Sequence, residues 1–162
     1  NKYFLSSSTM AKKIDIRERL GYRVQILSNK MILWSSRTYA QKFNVGVQEW
    51  RVLAMLARKG KGTAKDVCDM TLMDKGNVSR AVKRLVGDGC IKEHPDNNDK
   101  RSTVLILTPE GIALYKRIKK VSDFREKKFM ASFSTAEQKA LPKMLTKLEG
   151  VIEDLLQESE KV

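Results

Sequence analysis

DKGNVSRAVKRLVGDGCIKEHPDNNDKRSTVLIL, residues 74–107, is the part of the chain that decides the fold. In its first half, apolar residues recur at spacings of three and four, which predicts a helix with one apolar face. These residues are Val78, Ala81, Val82 and Leu85. Two strand-like runs follow, 90–94 and 102–107, joined by a polar turn, and this pattern predicts a β-hairpin. A helix followed at once by a hairpin is the arrangement of a winged helix-turn-helix.

The polar face of this helix carries side chains that suit duplex DNA. Its N-terminal half presents Lys75, Gly76, Asn77, Ser79 and Arg80. An α-helix fits the major groove, where arginine pairs with guanine and asparagine with adenine, and a glycine allows a close approach of the backbone. The residues expected to contact phosphates are Thr63, Lys65, Lys83 and Arg84. The competing interpretation is an ordinary basic, solvated helix face.

The polar turn of the hairpin contains Asp99-Lys100-Arg101. An arginine on a short protruding turn can enter the minor groove, where A·T tracts deepen the negative potential. Asp99 can hold the guanidinium of Arg101 through a charge-assisted hydrogen bond. These three residues are therefore predicted to contact DNA from the wing, and the alternative is a turn made polar for solubility.

The composition is compatible with a polyanionic partner. The chain has 162 residues, 41% of them hydrophobic, which is enough for one domain with a substantial core. Its 32 Lys and Arg residues against 19 Asp and Glu residues give a formal net charge of +13. Such a charge favours nucleic acid, an anionic membrane surface or an acidic ligand. The charge excess within the winged region is modest, so the placement of the basic residues matters more than their number.

The rest of the chain is predicted to be helical, within a single domain of residues 1–162. Residues 1–12 are expected to form a flexible arm, and residues 46–108 the winged helix-turn-helix. Long amphipathic helices are predicted over 13–42 and, in two pieces, over 109–159. The expected fold class is thus mainly α with a small β-hairpin. A small winged core cannot bury both long apolar stripes, so we expect a second copy of the chain to cover them.

Five short stretches together resemble the MarR family of bacterial winged-helix regulators. They are Gln48-Glu49-Trp50-Arg51-Val52-Leu53, 74–80 with Leu85, Asp88-Gly89-Cys90-Ile91, 96–102, and Leu107-Thr108-Pro109-Glu110-Gly111. The resemblance implies a homodimer with interlocking first and last helices. Its two recognition helices and two wings would meet one side of a palindromic double-stranded DNA operator. It further implies a transcriptional regulator, most often a repressor, that a small ligand releases from DNA.

The chain departs from the family pattern at two places. Val45-Gly46 stands where a Leu-Thr pair commonly precedes the second helix. In the wing, Asn97, Asn98 and Lys100 stand where arginines are common. Since Asp99 and Arg101 are retained, the minor-groove assignment stands, and weaker contacts to the DNA backbone are expected.

The resemblance also points to a ligand pocket, because the family often carries one between the dimer helices and the winged core. Trp34, Arg37 and Trp50 fall on the elements that would line it. An arginine beside two indoles would suit a small aromatic or anionic effector. The alternative is that both tryptophans are core residues and that Arg37 is solvated.

Other function classes find less support in the sequence. No glycine-rich phosphate loop, Ser-His-Asp set or pair of carboxylates on one helix face is visible, so an enzyme is not expected. With His94 as the only histidine and no CxxC spacing, neither a metal nor another cofactor is expected. A thiol switch at Cys68 or Cys90 and a winged-helix module that binds protein are the remaining alternatives. No apolar run reaches the length of a membrane span, and the expected location is a reducing cytoplasm.

Overall fold

A computed structural model describes residues 15–96 and 102–159. The helices in these ranges are α1 (Leu20–Phe43), α2 (Val47–Lys59), α3 (Ala64–Thr71), α4 (Lys75–Gly87), α5 (Pro109–Met130) and α6 (Thr135–Ser159). The strands are β1 (Lys61–Thr63), β2 (Ile91–Pro95) and β3 (Thr103–Leu107). This confirms the predicted fold class. The predicted arm, residues 1–12, falls within the part of the chain that is not described, as does the wing tip, residues 97–101.

The sheet has three strands, whereas the sequence predicted a two-stranded hairpin. Its order is β1-β3-β2, and both pairings are antiparallel. The predicted pair is present, with Ile91 opposite Leu107. On the other edge of β3, Gly62 lies opposite Leu105. Three residues with a central glycine have no strand propensity of their own, so β1 forms only because β3 offers it an unpaired edge.

The first helix begins later than predicted. Asp15 caps a short 3₁₀ turn, Ile16–Glu18, by accepting a hydrogen bond from the backbone N–H of Arg17 at 3.0 Å. Arg19 is extended, and α1 then begins at Leu20. Apolar spacing alone could not show this boundary, because Ile16 continues the stripe of α1 across it. The end of α1 lies close to the prediction, and Asn44 stops it in the left-handed conformation.

The core of the winged region consists of the apolar faces of α2, α3 and α4 packed with the sheet. The four residues predicted as the apolar face of α4 are all buried, which confirms that prediction. Other core residues in this region are Val52, Leu53, Leu56, Val67, Ile91 and Leu105. Burying each such side chain contributes roughly 1.5–3 kcal/mol to folding, so this packing sets the orientation of the helices.

A capping box begins α3. The hydroxyl of Thr63 accepts the backbone N–H of Asp66 at 3.2 Å, and a carboxylate oxygen of Asp66 accepts the backbone N–H of Thr63 at 2.7 Å. The hydrogen bond from Lys59, followed by those from Thr63, lowers the pKa of Asp66 to about 2. Because the pKa is lower in the folded state than in the unfolded state, this stabilisation is present at neutral pH and is lost as the pH falls toward 2.

The Thr108–Gly111 turn joins the sheet to α5. The backbone N–H of Thr108 donates to the carbonyl of Cys90 at 3.1 Å, and its hydroxyl donates to the carbonyl of Gly89 at 2.7 Å. The N–H of Gly111 donates to the same hydroxyl at 3.0 Å. A Cβ on Gly111 would lie 2.0 Å from the Cys90 carbonyl oxygen, so no other residue fits here without a backbone shift.

The chain divides into two compact units, Asn1–Leu114 and Tyr115–Val162. In the first unit, α1 leaves a row of apolar side chains exposed: Leu20, Val24, Leu27, Ile32 and Leu33. In the second unit, α6 does the same with Met144, Leu145, Val151, Ile152, Leu155 and Leu156. The residues Leu20, Val24 and Leu27 of α1, and Leu145, Ile152 and Leu155 of α6, belong to the long apolar stripes seen in the sequence.

We predict that Gly111→Ala lowers the free energy of unfolding by about 2 kcal/mol or more, because the new methyl group must displace backbone. Gly87→Ala is the matched control, since a Cβ at that helical position meets nothing within 4 Å. That change should stabilise by up to about 1 kcal/mol. Urea unfolding followed by circular dichroism measures both. Equal midpoints for the two variants would contradict the close packing at Gly111.

Candidate functional site

An open groove of about 470 Å³ lies between the start of α3, one edge of α4 and the sheet. Lys75, Ser79 and Lys83 follow one another along α4 at four-residue spacing and line this groove. The other polar lining residues are Thr63, Lys65, Glu93, Ser102 and Thr103. Lys65, Lys75 and Lys83 are exposed, and Glu93 is the one acidic residue of this lining. The groove therefore offers three ammonium groups to an elongated anion.

The structure thus brings together five of the residues predicted to contact DNA on this side: Thr63, Lys65, Lys75, Ser79 and Lys83. Ser79 lies between the two lysines of α4. The hydroxyl of Thr63 is already used, since it donates to Asp66 at 2.9 Å as part of the capping box. Its contribution to the groove is therefore to position Lys65 through the first turn of α3.

The N-terminal turn of α4 carries a chain of hydrogen bonds between three side chains. One carboxylate oxygen of Asp74 accepts the backbone N–H of Asn77 at 2.8 Å, and the other accepts the Asn77 side-chain amide. The amide oxygen of Asn77 accepts from Arg80 Nη2 at 2.7 Å. The pKa of Asp74 is lowered, mainly by the backbone N–H of Asn77. A Cβ on Gly76 would lie 3.2 Å from Asp74 Oδ1 and 3.4 Å from Arg80 Nη1.

Arg84 stands apart from the other residues predicted to contact phosphates. Its Nη2 donates to the carbonyl oxygen of Asn44 at 2.6 Å, and its Nη1 lies 3.6 Å from Glu49 Oε1. A longer contact of 3.8 Å joins its Nε to Asp88. Arg84 therefore ties α4 to the junction between α1 and α2. Its contact with phosphate stays a prediction. Adjacent helix residues point about 100° apart, so Arg84 and Lys83 lie on different sides of α4.

The wing residues Asp99, Lys100 and Arg101 lie outside the described residues, so their contact with DNA stays a prediction. The strands that lead to them are well defined. Pro95 lies opposite Thr103, and the backbone N–H of Asp96 donates to the carbonyl of Ser102 at 3.0 Å. This pairing places Asp96 and Ser102, which flank residues 97–101 in the sequence, next to each other.

An aromatic cluster joins α1 to α2. The rings of Trp34 and Tyr39 meet edge to face with centroids 6.3 Å apart, and those of Tyr39 and Trp50 are 5.8 Å apart. Trp34 is 37% exposed and Trp50 is half-buried, so neither is a fully enclosed core residue. Arg37 is exposed. The two predicted tryptophans are thus connected through a residue that the sequence reasoning missed.

Tyr39 is that missed residue. Its side chain is fully buried, and its hydroxyl has no hydrogen-bond partner among the described residues. A buried hydroxyl of this kind costs free energy unless a polar atom reaches it. The signal was present in the sequence, because steps of four residues from Met31 through Ser35 lead to Tyr39 on the same helix face.

Some alternatives lose support among the described residues. Within residues 15–96 and 102–159, no group of three potential metal ligands comes together. In the same ranges, no helix has the length and hydropathy needed to cross a membrane. Burial raises the pKa of the Cys90 thiol, and Asp88 and Glu110 raise it further. Since the thiolate is the reactive form, Cys90 is poorly suited to be a redox switch.

Comparison with known proteins identifies the family. Residues 43–102 match the family model described as "MarR family". A solved structure of a MarR/EmrR family transcriptional regulator from Acinetobacter sp. ADP1 is 32% identical in sequence. It aligns with a TM-score of 0.79 over 87% of this chain and 99% of that one. The chain belongs to the MarR family. Members of the MarR family are transcription regulators, which confirms the expectation that the chain is not an enzyme.

More distant MarR proteins agree with this assignment. The multiple antibiotic resistance protein MarR of Salmonella typhimurium is 27% identical over 109 residues, which are 67% of this chain and 73% of that protein. Two structures at 21% identity share the fold. One is a MarR mutant from E. coli complexed with operator DNA, with a TM-score of 0.72 over 83% of this chain and 98% of that one. The other is BpsR of Bordetella bronchiseptica, a protein whose binding to DNA is regulated by 6-hydroxynicotinic acid. It aligns with a TM-score of 0.74 over 83% of this chain and 96% of that one.

Proposed function

We propose that this MarR-family protein is a sequence-specific regulator, acting in the cytoplasm, that binds double-stranded DNA. It acts as a homodimer on a palindromic operator, represses transcription, and leaves the DNA when a small aromatic or anionic effector binds. The observation that carries the proposal is the arrangement of side chains on the capped helix α4. Asn77 and Arg80 lie on one edge of this helix, and lysines on its other edge line a groove. The operator complex of the E. coli relative supports the same use of the fold.

The two edges of α4 suit two different parts of DNA. The N-terminal turn, with Lys75, Gly76 and Arg80, is exposed and narrow enough for the major groove. Lys65 and Lys83 stand along the adjoining groove, where a sugar-phosphate backbone would lie across their ammonium groups. The first edge would supply sequence preference, and the second would supply affinity that depends on salt.

The first experiment tests DNA binding itself. Selection from a pool of random duplexes should yield a preferred palindrome, and affinity for it should fall steeply as salt rises. Lys83→Ala should weaken binding to selected and random duplexes alike, and should reduce the slope of log K against log salt by about 1. Lys139→Ala on α6 is the matched control and should leave both values unchanged. If the wild-type protein shows no salt-dependent DNA binding, the fold serves another purpose, such as binding a protein.

The proposed homodimer follows from apolar faces that one chain leaves exposed. Leu27 on α1 is 59% exposed, and Leu155 on α6 is 53% exposed. The remaining members of both rows are similarly accessible. Continuous apolar rows on long helices are costly in water and mark surfaces that pack against another protein. A second copy is the simplest partner, and its twofold symmetry matches a palindromic operator.

A charge placed in one of these rows should break the dimer. Leu27→Asp puts two carboxylates near a twofold interface without a compensating group, and we expect a monomer with greatly weakened operator binding. Sedimentation velocity measures the change in mass. Leu72→Asp is the control, because Leu72 is a 92% exposed leucine at the turn before α4, in a left-handed conformation that aspartate tolerates. A dimer that persists in Leu27→Asp at low micromolar concentration would rule out this surface.

The proposed effector site is the aromatic cluster of α1 and α2 with the nearby Arg37. Its support is the buried Tyr39 between the two indoles, because its hydroxyl has no hydrogen-bond partner among the described residues. Flat rings can stack on the indoles, and an arginine is suited to a carboxylate. The regulation of BpsR by an aromatic acid supports an effector of this class.

Thermal unfolding with benzoate and with 6-hydroxynicotinate tests this site, since a ligand that binds the folded state raises its stability. We expect both acids to raise the unfolding temperature and to weaken operator binding. Arg37→Ala should remove most of the shift, while benzamide, which lacks the carboxylate, should give little. No shift with any aromatic acid, or an equal shift in Arg37→Ala, would exclude the cluster as the effector site.

A further inference from the structure

We infer that Arg80 is the base-reading residue of α4, and that Asn77 is a positioning residue which, with Asp74, holds the Arg80 guanidinium in place above Gly76. The inference rests on the proposed DNA-binding function and makes it more specific. It assigns one recognised base, guanine, to this turn of the helix. It also replaces the expectation that Asn77 itself pairs with adenine.

The donor and acceptor in each hydrogen bond of the series Asp74–Asn77–Arg80 are determined by the chemistry of the three side chains. A carboxylate only accepts hydrogen bonds, and a guanidinium only donates them. The Asn77 amide lies between the carboxylate of Asp74 and the guanidinium of Arg80. Its NH₂ group must therefore face Asp74, and its oxygen must face Arg80. The reverse orientation would set two acceptors against each other at one end and two donors at the other.

This arrangement leaves Asn77 poorly placed to read a base. Pairing with adenine requires the amide oxygen and one N–H to point together at N6 and N7. In the structure, the oxygen is engaged by Arg80 and the NH₂ group by Asp74, so both must break their contacts before adenine could be bound. Asn77 is also partly buried, whereas Arg80 is exposed.

Arg80 keeps most of its donor capacity. Among residues 15–96 and 102–159, its one hydrogen bond is that from Nη2 to Asn77, and a guanidinium carries five N–H groups. Guanine presents two acceptors, O6 and N7, in the major groove, and a guanidinium can donate to both at once. Holding the long side chain in one position before binding reduces the conformational entropy that is lost when DNA is bound.

Gly76 provides the space for this arrangement. A Cβ there would stand 3.2 Å from an oxygen of Asp74, which is closer than most such contacts, and 3.4 Å from Arg80 Nη1, at the edge of ordinary van der Waals contact. Both Asp74 and Arg80 therefore lean toward the same glycine. The glycine serves the positioning of the guanidinium as well as any close approach of the helix to DNA.

Asp74 has two separable tasks. One of its oxygens accepts the backbone N–H of Asn77 and caps α4, and the other holds the Asn77 side chain. A serine at this position can cap the helix with its single oxygen but cannot also hold the amide. Asp74→Ser therefore removes the positioning contact while it keeps the cap.

The experiment measures base preference in the full-length protein. Wild type selects its duplex from a random pool, and each base pair of that duplex is then varied in binding assays. Arg80→Ala should lose discrimination at one G·C pair per half-site, on the order of ten- to a hundred-fold. Asn77→Ala should lose discrimination at that same pair, by less, and the double variant should be no worse than Arg80→Ala. Asp74→Ser and Gly76→Ala should affect that pair as well.

Arg58→Ala is the matched control, because it removes an exposed arginine of α2 that is not among the residues assigned to DNA contact. It should leave the preference at every base pair unchanged. Arg80→Lys keeps the charge but loses the planar pair of donors, so the G·C preference should weaken without disappearing. Thermal unfolding of each variant ensures that only folded proteins are compared, and Asp74→Ser provides a second route if Asn77→Ala does not fold.

The outcomes separate the inference from the proposed function. If wild type selects no sequence at all, the proposed function fails and the inference fails with it. If wild type selects a palindrome but Asn77→Ala and Arg80→Ala act on different base pairs with additive losses, Asn77 reads its own base. In that case the inference is overturned while the DNA-binding function stands. Full retention of the G·C preference in Arg80→Ala would likewise show that Arg80 reads no base.

Discussion

The burial of one face of α4 is the constraint on which the rest of the winged region depends. Val78 and Leu85 are each 1% exposed, and the two residues between them on this face are also buried. Because successive residues of a helix turn by about 100°, burying this face determines where every other side chain of α4 points. Lys75 and Lys83 then line the groove, Arg80 lies on the outer face, and Arg84 reaches the junction of α1 and α2.

Polar contacts fix the positions of this helix and of the sheet around the apolar core. Arg84 connects α4 to the carbonyl of Asn44 beyond the end of α1. Thr108 connects the end of β3 to the carbonyls of Gly89 and Cys90 just after α4. Arg84 and Thr108 both donate hydrogen bonds to backbone carbonyl groups that lie beyond the end of a helix. Regular secondary structure alone would leave these carbonyl groups unpaired. The surface formed by α4 and the sheet is therefore supported at both of its ends.

Much of the fold could be predicted from the sequence, because periodicity and capping are local signals. The α4 helix, its apolar face, the capping box of α3 and the β2–β3 pair all follow from residues close together in the chain. β1 could not be predicted, since its three residues form a strand only beside β3. The start of α1 was missed because the 3₁₀ turn before it carries Ile16 in phase with the stripe of α1. Tyr39 was missed because the search for ligand-lining residues followed the tryptophans.

The sequence by itself determined the mainly helical winged architecture, the family resemblance and the types of side chain available for contact with DNA. These depend on short-range spacing and on residue chemistry, which a linear chain already contains. Only the tertiary structure decided how those side chains are used. It joined Arg84 to the carbonyl oxygen of Asn44, and Asn77 to Asp74 and Arg80. Which hydrogen bonds a polar residue makes depends on where the packing of the helices places its neighbours, and those distances are absent from the linear order.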